Sequence, residues 1–246
     1  MAPVIELRDL VKVFDGQTAV DGVSLSVERG EFIGFLGPNG AGKTTTIGML
    51  LGVVQPTSGS VHILGRRMPK DRQAILSRVN FSSPYVSMPS NLSVIENLLV
   101  FAHLYLAPRP RDRIQSLAEV FGVTHLLNRQ TRALSSGEVA RVNLVKAFLN
   151  DPEVLFLDEP TASLDPDAAD RVRALLVRMK EERGLTIFYT SHNMAEVERL
   201  STRIAFIHHG RIIADGSPDQ VLREHNKTSL EEFFLTLARE GEAAPA

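Results

Sequence analysis

Phe32-Ile33-Gly34-Phe35-Leu36-Gly37-Pro38-Asn39-Gly40-Ala41-Gly42-Lys43-Thr44-Thr45 is the stretch that decides how the rest of the chain is read. Its first five residues are apolar or glycine without interruption, which suits a strand buried on both faces of a parallel sheet. The next nine satisfy the pattern G-x-x-x-x-G-K-[ST] in the strand–loop–helix setting that the pattern requires. Glycines let successive backbone N–H groups turn toward one point and form an anion nest. A helix opening near Lys43 adds the positive end of its dipole. Lys43 is suited to reach β- and γ-phosphates, and Thr44 to offer its hydroxyl to Mg²⁺. A glycine-rich turn without function meets this pattern in roughly one random chain of this length in a hundred. The segment predicts nucleotide binding through Gly37, Pro38, Asn39, Gly40, Ala41, Gly42, Lys43, Thr44 and Thr45.

Working outward, similar buried runs recur at 154–157, 185–189 and 204–207. Helical patterns separate them, notably 167–182, with Val172, Leu175, Leu176 and Met179 on one face. Strands alternating with helices imply an α/β fold with a mostly parallel sheet. Residues 4–27 alternate apolar and polar positions and predict an antiparallel β part. The middle is helical. Ser93-Val94-Ile95-Glu96 is a capping-box pattern opening a helix to about Tyr105. Pro108 and Pro110 stop it, and a second helix carries Ile114, Leu117, Ala118 and Phe121 up to Gly122. His208-His209-Gly210-Arg211 reads as a hairpin turn, and Ser217-Pro218 as the start of a short helix. A last amphipathic helix opens at Ser229, with Leu230, Phe233, Phe234 and Leu237 on one face, and 241–246 reads as a loose tail. The expected division is 1–83 (β part and phosphate-loop half), 84–150 (helical insertion), 151–225 (second half of the core) and 226–246 (terminal helix and tail).

Composition narrows the function. The 246 residues carry 27 Lys+Arg against 29 Asp+Glu, a formal charge of −2. That balance leaves no basic footprint, so nucleic acid is not an expected partner. Apolar residues at 43% and charged residues at 23% are ordinary for a globular protein. The absence of cysteine excludes disulfide scaffolds, zinc knuckles, iron–sulfur clusters and thiol catalysis. The start has no signal-peptide pattern, and the longest apolar stretch, 98–107, is far short of the ~20 residues that span a bilayer. The expectation is a soluble, intracellular protein.

Two further segments bear chemistry. Val154-Leu155-Phe156-Leu157-Asp158-Glu159 puts two acids at the C-terminal end of a buried strand, where open α/β sheets bind ligands. Adjacent acids cannot both face one atom. Asp158 is therefore assigned to hold a metal through water, and Glu159 to polarise an attacking water as general base. Acids that cap the next helix are the alternative for this pair taken alone. Leu134-Ser135-Ser136-Gly137-Glu138 begins another helix, and Ser135 with Glu138 forms a capping box. It also places a second small-residue helix start, suited to an anion, on the same chain.

Phosphate loop, serine–glycine segment, Asp158-Glu159, Ser163-Leu164-Asp165 and His192, in that order, resemble the motif series of ABC-type ATPases. The resemblance covers residues 4 to about 225 and implies the nucleotide-binding subunit of an ABC transporter with a P-loop NTPase core. On that resemblance ATP and Mg²⁺ are the ligands, Phe14 stacks on adenine, and His192 contacts the γ-phosphate and orients the water. Ser135, Ser136, Gly137 and Glu138 serve a second ATP held by a partner copy, and Asp165 lies in the interface loop. The resemblance further implies a homodimer closing around two ATP. Membrane-spanning partner subunits hold it at the cytoplasmic face of the membrane, in an export-type system. Two residues depart from the family. In Val79-Asn80-Phe81-Ser82-Ser83-Pro84-Tyr85 the usual Gln falls on Pro84, which has no polar side-chain group or N–H. Ser82 or Ser83 is left to bridge through water. Ser136-Gly137-Glu138 stands where the family favours Gly-Gly-Gln, which adds a side chain and a carboxylate beside the phosphates. Three alternatives stay open at this point. A soluble ABC-type ATPase of DNA repair, translation or assembly would show zinc cysteines, a coiled-coil insertion or two cassettes, and none is seen. A GTPase would need Asn-Lys-x-Asp, whereas Asn226-Lys227-Thr228-Ser229 lacks the acid. Binding without catalysis is the third.

Overall fold

The run at 32–36 forms strand β3 (Phe32–Leu36), with all five residues buried. The computed structural model describes residues 2–84 and 88–242, so Tyr85 and the end of the expected tail lie outside the described residues. The described residues divide into two units, one running up to Ile75 and again from Thr186 onward, the other Leu76–Leu185.

In the first unit β3 lies between two parallel neighbours, β8 (Thr186–Thr190) and β9 (Arg203–His208), with Ile33 opposite Phe188 and Leu36 opposite Phe206. Neighbours on both sides, and a helix over one face, explain why the sequence is apolar throughout rather than alternating. At Gly34 an added Cβ would lie 2.6 Å from Val197 of helix α7 (Met194–Leu200), so the glycine lets that helix sit close on the strand. Strand β10 (Arg211–Gly216) pairs antiparallel with β9 through the expected hairpin turn, where His209 and Gly210 have φ of 45° and 75°. The expected N-terminal β part is an antiparallel sheet ordered β2 (Gln17–Val27), β1 (Ile5–Phe14), β4 (Ser58–Ile63), β5 (Arg66–Met68). Two positive-φ pairs, Asp15-Gly16 and Leu64-Gly65, make its tight turns, since such turns match the strand twist. Helix α1 (Lys43–Leu50) follows the phosphate loop, the short α2 (Arg72–Leu76) follows β5, α8 (Pro218–Glu224) starts at Ser217 as expected, and α9 (Leu230–Glu242) packs Phe233 on Phe206 with ring centroids 5.0 Å apart. Because α9 continues through Glu242, the loose tail expected from Gly241 begins at least two residues late.

In the second unit β6 (Val79–Ser82) pairs parallel with β7 (Val154–Asp158), Ser82 opposite Leu157. Around this pair lie α3 (Val94–Leu104), α4 (Pro110–Val120), α5 (Ser136–Ala147) and α6 (Pro166–Arg183). The Ser93–Glu96 box opens α3 as read from the sequence. Pro110 does not end α3 but starts α4, because at the first helical position its missing N–H costs nothing. In α6, Val172, Leu176 and Met179 are buried as expected, while Leu175 is only half-buried.

Candidate functional site

The phosphate loop follows from where β3 ends. A Cβ at Gly37 would collide with the Ile207 carbonyl oxygen, and one at Gly42, where φ is 108°, would come within 2.6 Å of the Ala19 carbonyl oxygen. Glycine is thus required at both positions for the loop to run along β9 and β2. The loop is tied down by Ala41 N donating to Pro38 O at 3.2 Å and by Gly210 N donating to Ala41 O at 3.0 Å, so the β9–β10 turn braces it. Lys43 Nζ folds back and donates to Gly37 O at 2.6 Å and Pro38 O at 3.0 Å, holding its charge over the loop. The N-cap of α1 is Gly42, which supplies no side-chain acceptor, and no acid lies in the first turn. The orphan N–H groups of that turn therefore have no side-chain cap and carry the full positive end of the helix. Asn39, Gly40 and Thr44 are exposed there.

Phe14 sits at the end of β1 and is 44% exposed, not a core residue. Lys12 Nζ lies 4.6 Å from its ring centroid and also donates to Gln55 O at 3.0 Å. His192 is exposed in the turn between β8 and α7. Phe14, the phosphate loop and His192 all belong to the first unit. Ser135–Glu138, Asp158, Glu159 and Asp165 belong to the second.

In that second unit Asp158 ends β7, half-exposed, and its Oδ2 accepts from Ser83 Oγ at 3.2 Å. The parallel register puts Ser83 level with Asp158, and Ser83 is 4% exposed. Of the two serines offered in place of the usual Gln, Ser83 is the one bonded to Asp158. Glu159 has φ of 48°, the left-handed region, and is followed by the buried Pro160. A non-glycine residue held there stores on the order of 1–3 kcal/mol, as at the turn residues Asp15 and Leu64.

The serine–glycine segment forms a reciprocal capping box. Ser135 Oγ accepts from Glu138 N at 3.3 Å, and Glu138 Oε2 accepts from Ser135 N at 2.7 Å. Arg129 Nη1 lies 3.2 Å from the other Glu138 oxygen, while its Nη2 donates to Ala133 O at 2.7 Å. The Ser135 N–H holds the Glu138 carboxyl below its ordinary value, partial burial opposes this, and Arg129 and Arg141 add to the lowering. The carboxylate that departs from the family pattern is thus consumed locally and paired. Gly137 faces the 163–165 loop, since a Cβ there would lie 3.2 Å from the Ser163 carbonyl oxygen. Asp165 is the N-cap of α6, its Oδ1 accepting from Ala168 N at 2.9 Å, and that bond lowers its pKa. Ser83 and Arg129 are the site residues that sequence reading passed over or left undecided. Strand register points to Ser83, and no local pattern marks Arg129.

Thr44, in the first unit, and Asp158, in the second, each offer a hard oxygen of the kind that Mg²⁺ takes.

A braced glycine loop under a folded-back lysine, at an uncapped helix start on a buried strand, defines a phosphate-loop nucleotide-binding protein. The profile of the ABC transporter family matches residues 20–162, more than half of the chain. The bacitracin transport ATP-binding protein BcrA of Bacillus licheniformis is 36% identical over 231 residues, covering 94% of this chain and 75% of that one. The Nod factor export ATP-binding protein I of Burkholderia pseudomallei (strain 1710b) is 39% identical over 224 residues, covering 89% and 72%. A solved ATP binding subunit of an ABC transporter superposes with a TM-score of 0.88 at 27% identity, over 96% of this chain and 99% of the other. The chain belongs to the ABC transporter family, as an ATP-binding subunit that hydrolyses ATP.

Proposed function

We propose that two copies of this chain close around two ATP molecules and drive the membrane-spanning subunits of an exporter. The observation that carries the reading is the start of α1, where an uncapped helix end and the Lys43 ammonium converge on one loop. Phosphate binding exchanges the Gly37 and Pro38 carbonyls for phosphate oxygens as partners of Nζ. Phe14 stacks on the adenine, its exposed ring supporting that role. Mg²⁺, when bound, neutralises charge on the β- and γ-phosphates, and Thr44 and the Ser83-steadied Asp158 are the residues to hold it. Glu159 accepts a proton from water as the water oxygen attacks the γ-phosphorus. The bond to the bridging oxygen breaks, leaving ADP and inorganic phosphate, and His192 donates to the γ-phosphate oxygens. The partner copy supplies Ser135, Ser136 and Gly137 to the same γ-phosphate, so its loss releases the interface. Asp165 shapes the 163–165 loop that Gly137 touches.

Among the described residues no helix is long and apolar enough to cross a membrane, so the pore is assigned to other polypeptides at whose cytoplasmic face this subunit sits. The strip Val100, Leu104 and Leu106, exposed by 50, 69 and 87%, supports docking of such a subunit on α3. The transport and export named for the two relatives support the outward direction. Glu159→Gln is the test. It should lower the ATPase kcat by at least about 100-fold with ATP affinity unchanged, and a parental rate would remove Glu159 from the role of base.

A further inference from the structure

In helices α3, α5 and α7 the third residue is a glutamate whose N–H is taken by the N-cap side chain, and α3 and α5 use its carboxylate alike. In α3 and α5 the glutamate reaches back to the N-cap N–H and closes a box. In α7 the N-cap is Asn193 and the third residue is Glu196, yet the carboxylate goes elsewhere. Glu196 is 5% exposed. Its Oε1 accepts from the Tyr189 hydroxyl at 2.7 Å, and its Oε2 from Ser191 Oγ at 3.4 Å. The Asn193 N–H that the box would have used donates instead to Ser191 Oγ at 3.1 Å, while Asn193 Oδ1 accepts from Glu196 N at 3.1 Å. Capping alone does not call for this arrangement. Burying a carboxylate is costly unless its oxygens are hydrogen-bonded, and an apolar residue would fill the space at lower cost. The diverted carboxylate grips residues 189 and 191, and Ser191 Oγ in turn takes the Asn193 N–H, so bonds flank the exposed His192 on both sides. Its base is equally firm, because Tyr189 is fully buried in β8 and α7 lies close on β3 at Gly34.

We infer that Glu196, with Tyr189 and Ser191, is a positioning unit that holds the His192 turn in the orientation catalysis uses. This rests on the γ-phosphate role proposed for His192. The test measures ATPase kinetics and the His192 imidazole ¹H–¹³C resonance in full-length Tyr189→Phe and Ser191→Ala variants, with His192→Ala as reference. Tyr189→Phe should lower kcat about tenfold with the KM for ATP within about twofold, and should shift or broaden the imidazole signal. Ser191→Ala should act in the same direction, more weakly. It decides the matter should Tyr189→Phe fail to fold, because its side chain lies in the turn and not in the core. An unmoved imidazole signal with parental kcat in the folded variants overturns the inference, as does a loss of thermal stability with the imidazole unmoved. A parental kcat in His192→Ala counts against the histidine's assigned role alone, and the imidazole signal then still decides whether the unit positions the turn.

Discussion

The two helix starts proposed to meet phosphate are built in opposite ways. At α1 the N-cap is a glycine without a side-chain acceptor, no acid lies in the first turn, and a lysine arches over the loop. At α5 the N-cap serine and the glutamate three residues on satisfy each other, and Arg129 balances the acid. The first end has no side-chain cap and holds the Lys43 ammonium over the loop, which suits it to take the triphosphate first. The second has its Glu138 N–H already bonded and a carboxylate set against the helix dipole, so only Ser136, Gly137 and the Ser135 hydroxyl remain for an anion. On the proposed function, a site of that kind would contribute only after another copy has gathered the nucleotide. The difference predicts an ordered assembly, with ATP on the phosphate loop first and the serine–glycine segment of the partner second.

Removing the charge at the stronger end has the largest effect. Lys43→Ala should weaken ATP binding by roughly 10–100-fold, since a charged hydrogen-bonding partner contributes about 1.5–3 kcal/mol, and titration with a fluorescent ATP analogue reads it. At the other end the same measurement on a single copy should show nothing. Ser135→Gly sharpens this contrast, because glycine at an N-cap costs only a few tenths of a kcal/mol. The variant should keep monomer ATP affinity and thermal stability but lose most ATP-dependent dimer formation, measured by sedimentation. The smallest effect concerns acid. Glu138 is held below its ordinary value of 4.5, so its contribution to stability is complete above that pH and is lost as the pH falls through the folded value. Glu138→Gln should leave Tm at pH 7 within about 2 °C, and below pH 4.5 its melting curve should fall less steeply than the parent's. Glu96, Asp165 and Glu232 are lowered in the same direction and leave acid sensitivity in both proteins.

Much of this contrast is legible in the sequence because it is local. The buried run at 32–36, the glycine spacing after it and the serine–glutamate boxes of α3 and α5 act within five residues of each other, and each appears where it was expected. The His209–Gly210 turn was equally readable, but Leu64-Gly65 was not, because leucine is an unusual residue for positive φ. What depends on tertiary register could not be read. Ser83 meets Asp158 only because β6 and β7 pair in parallel with Ser82 opposite Leu157. The positive φ of Glu159 has no mark in the local sequence. Asn193 and Glu196 have the spacing of a capping box, yet a tyrosine beneath them takes the carboxylate away. Pro110 shows the same limit, since proline both ends and begins helices and only the chain path tells which.

The claim on which the rest depends is that the weaker phosphate site works only across two copies. Light scattering of the Glu159→Gln variant with saturating Mg²⁺ and ATP measures it directly. The account predicts a dimer that returns to monomer when ADP replaces ATP, and a protein that remains monomeric at saturating ATP would contradict it.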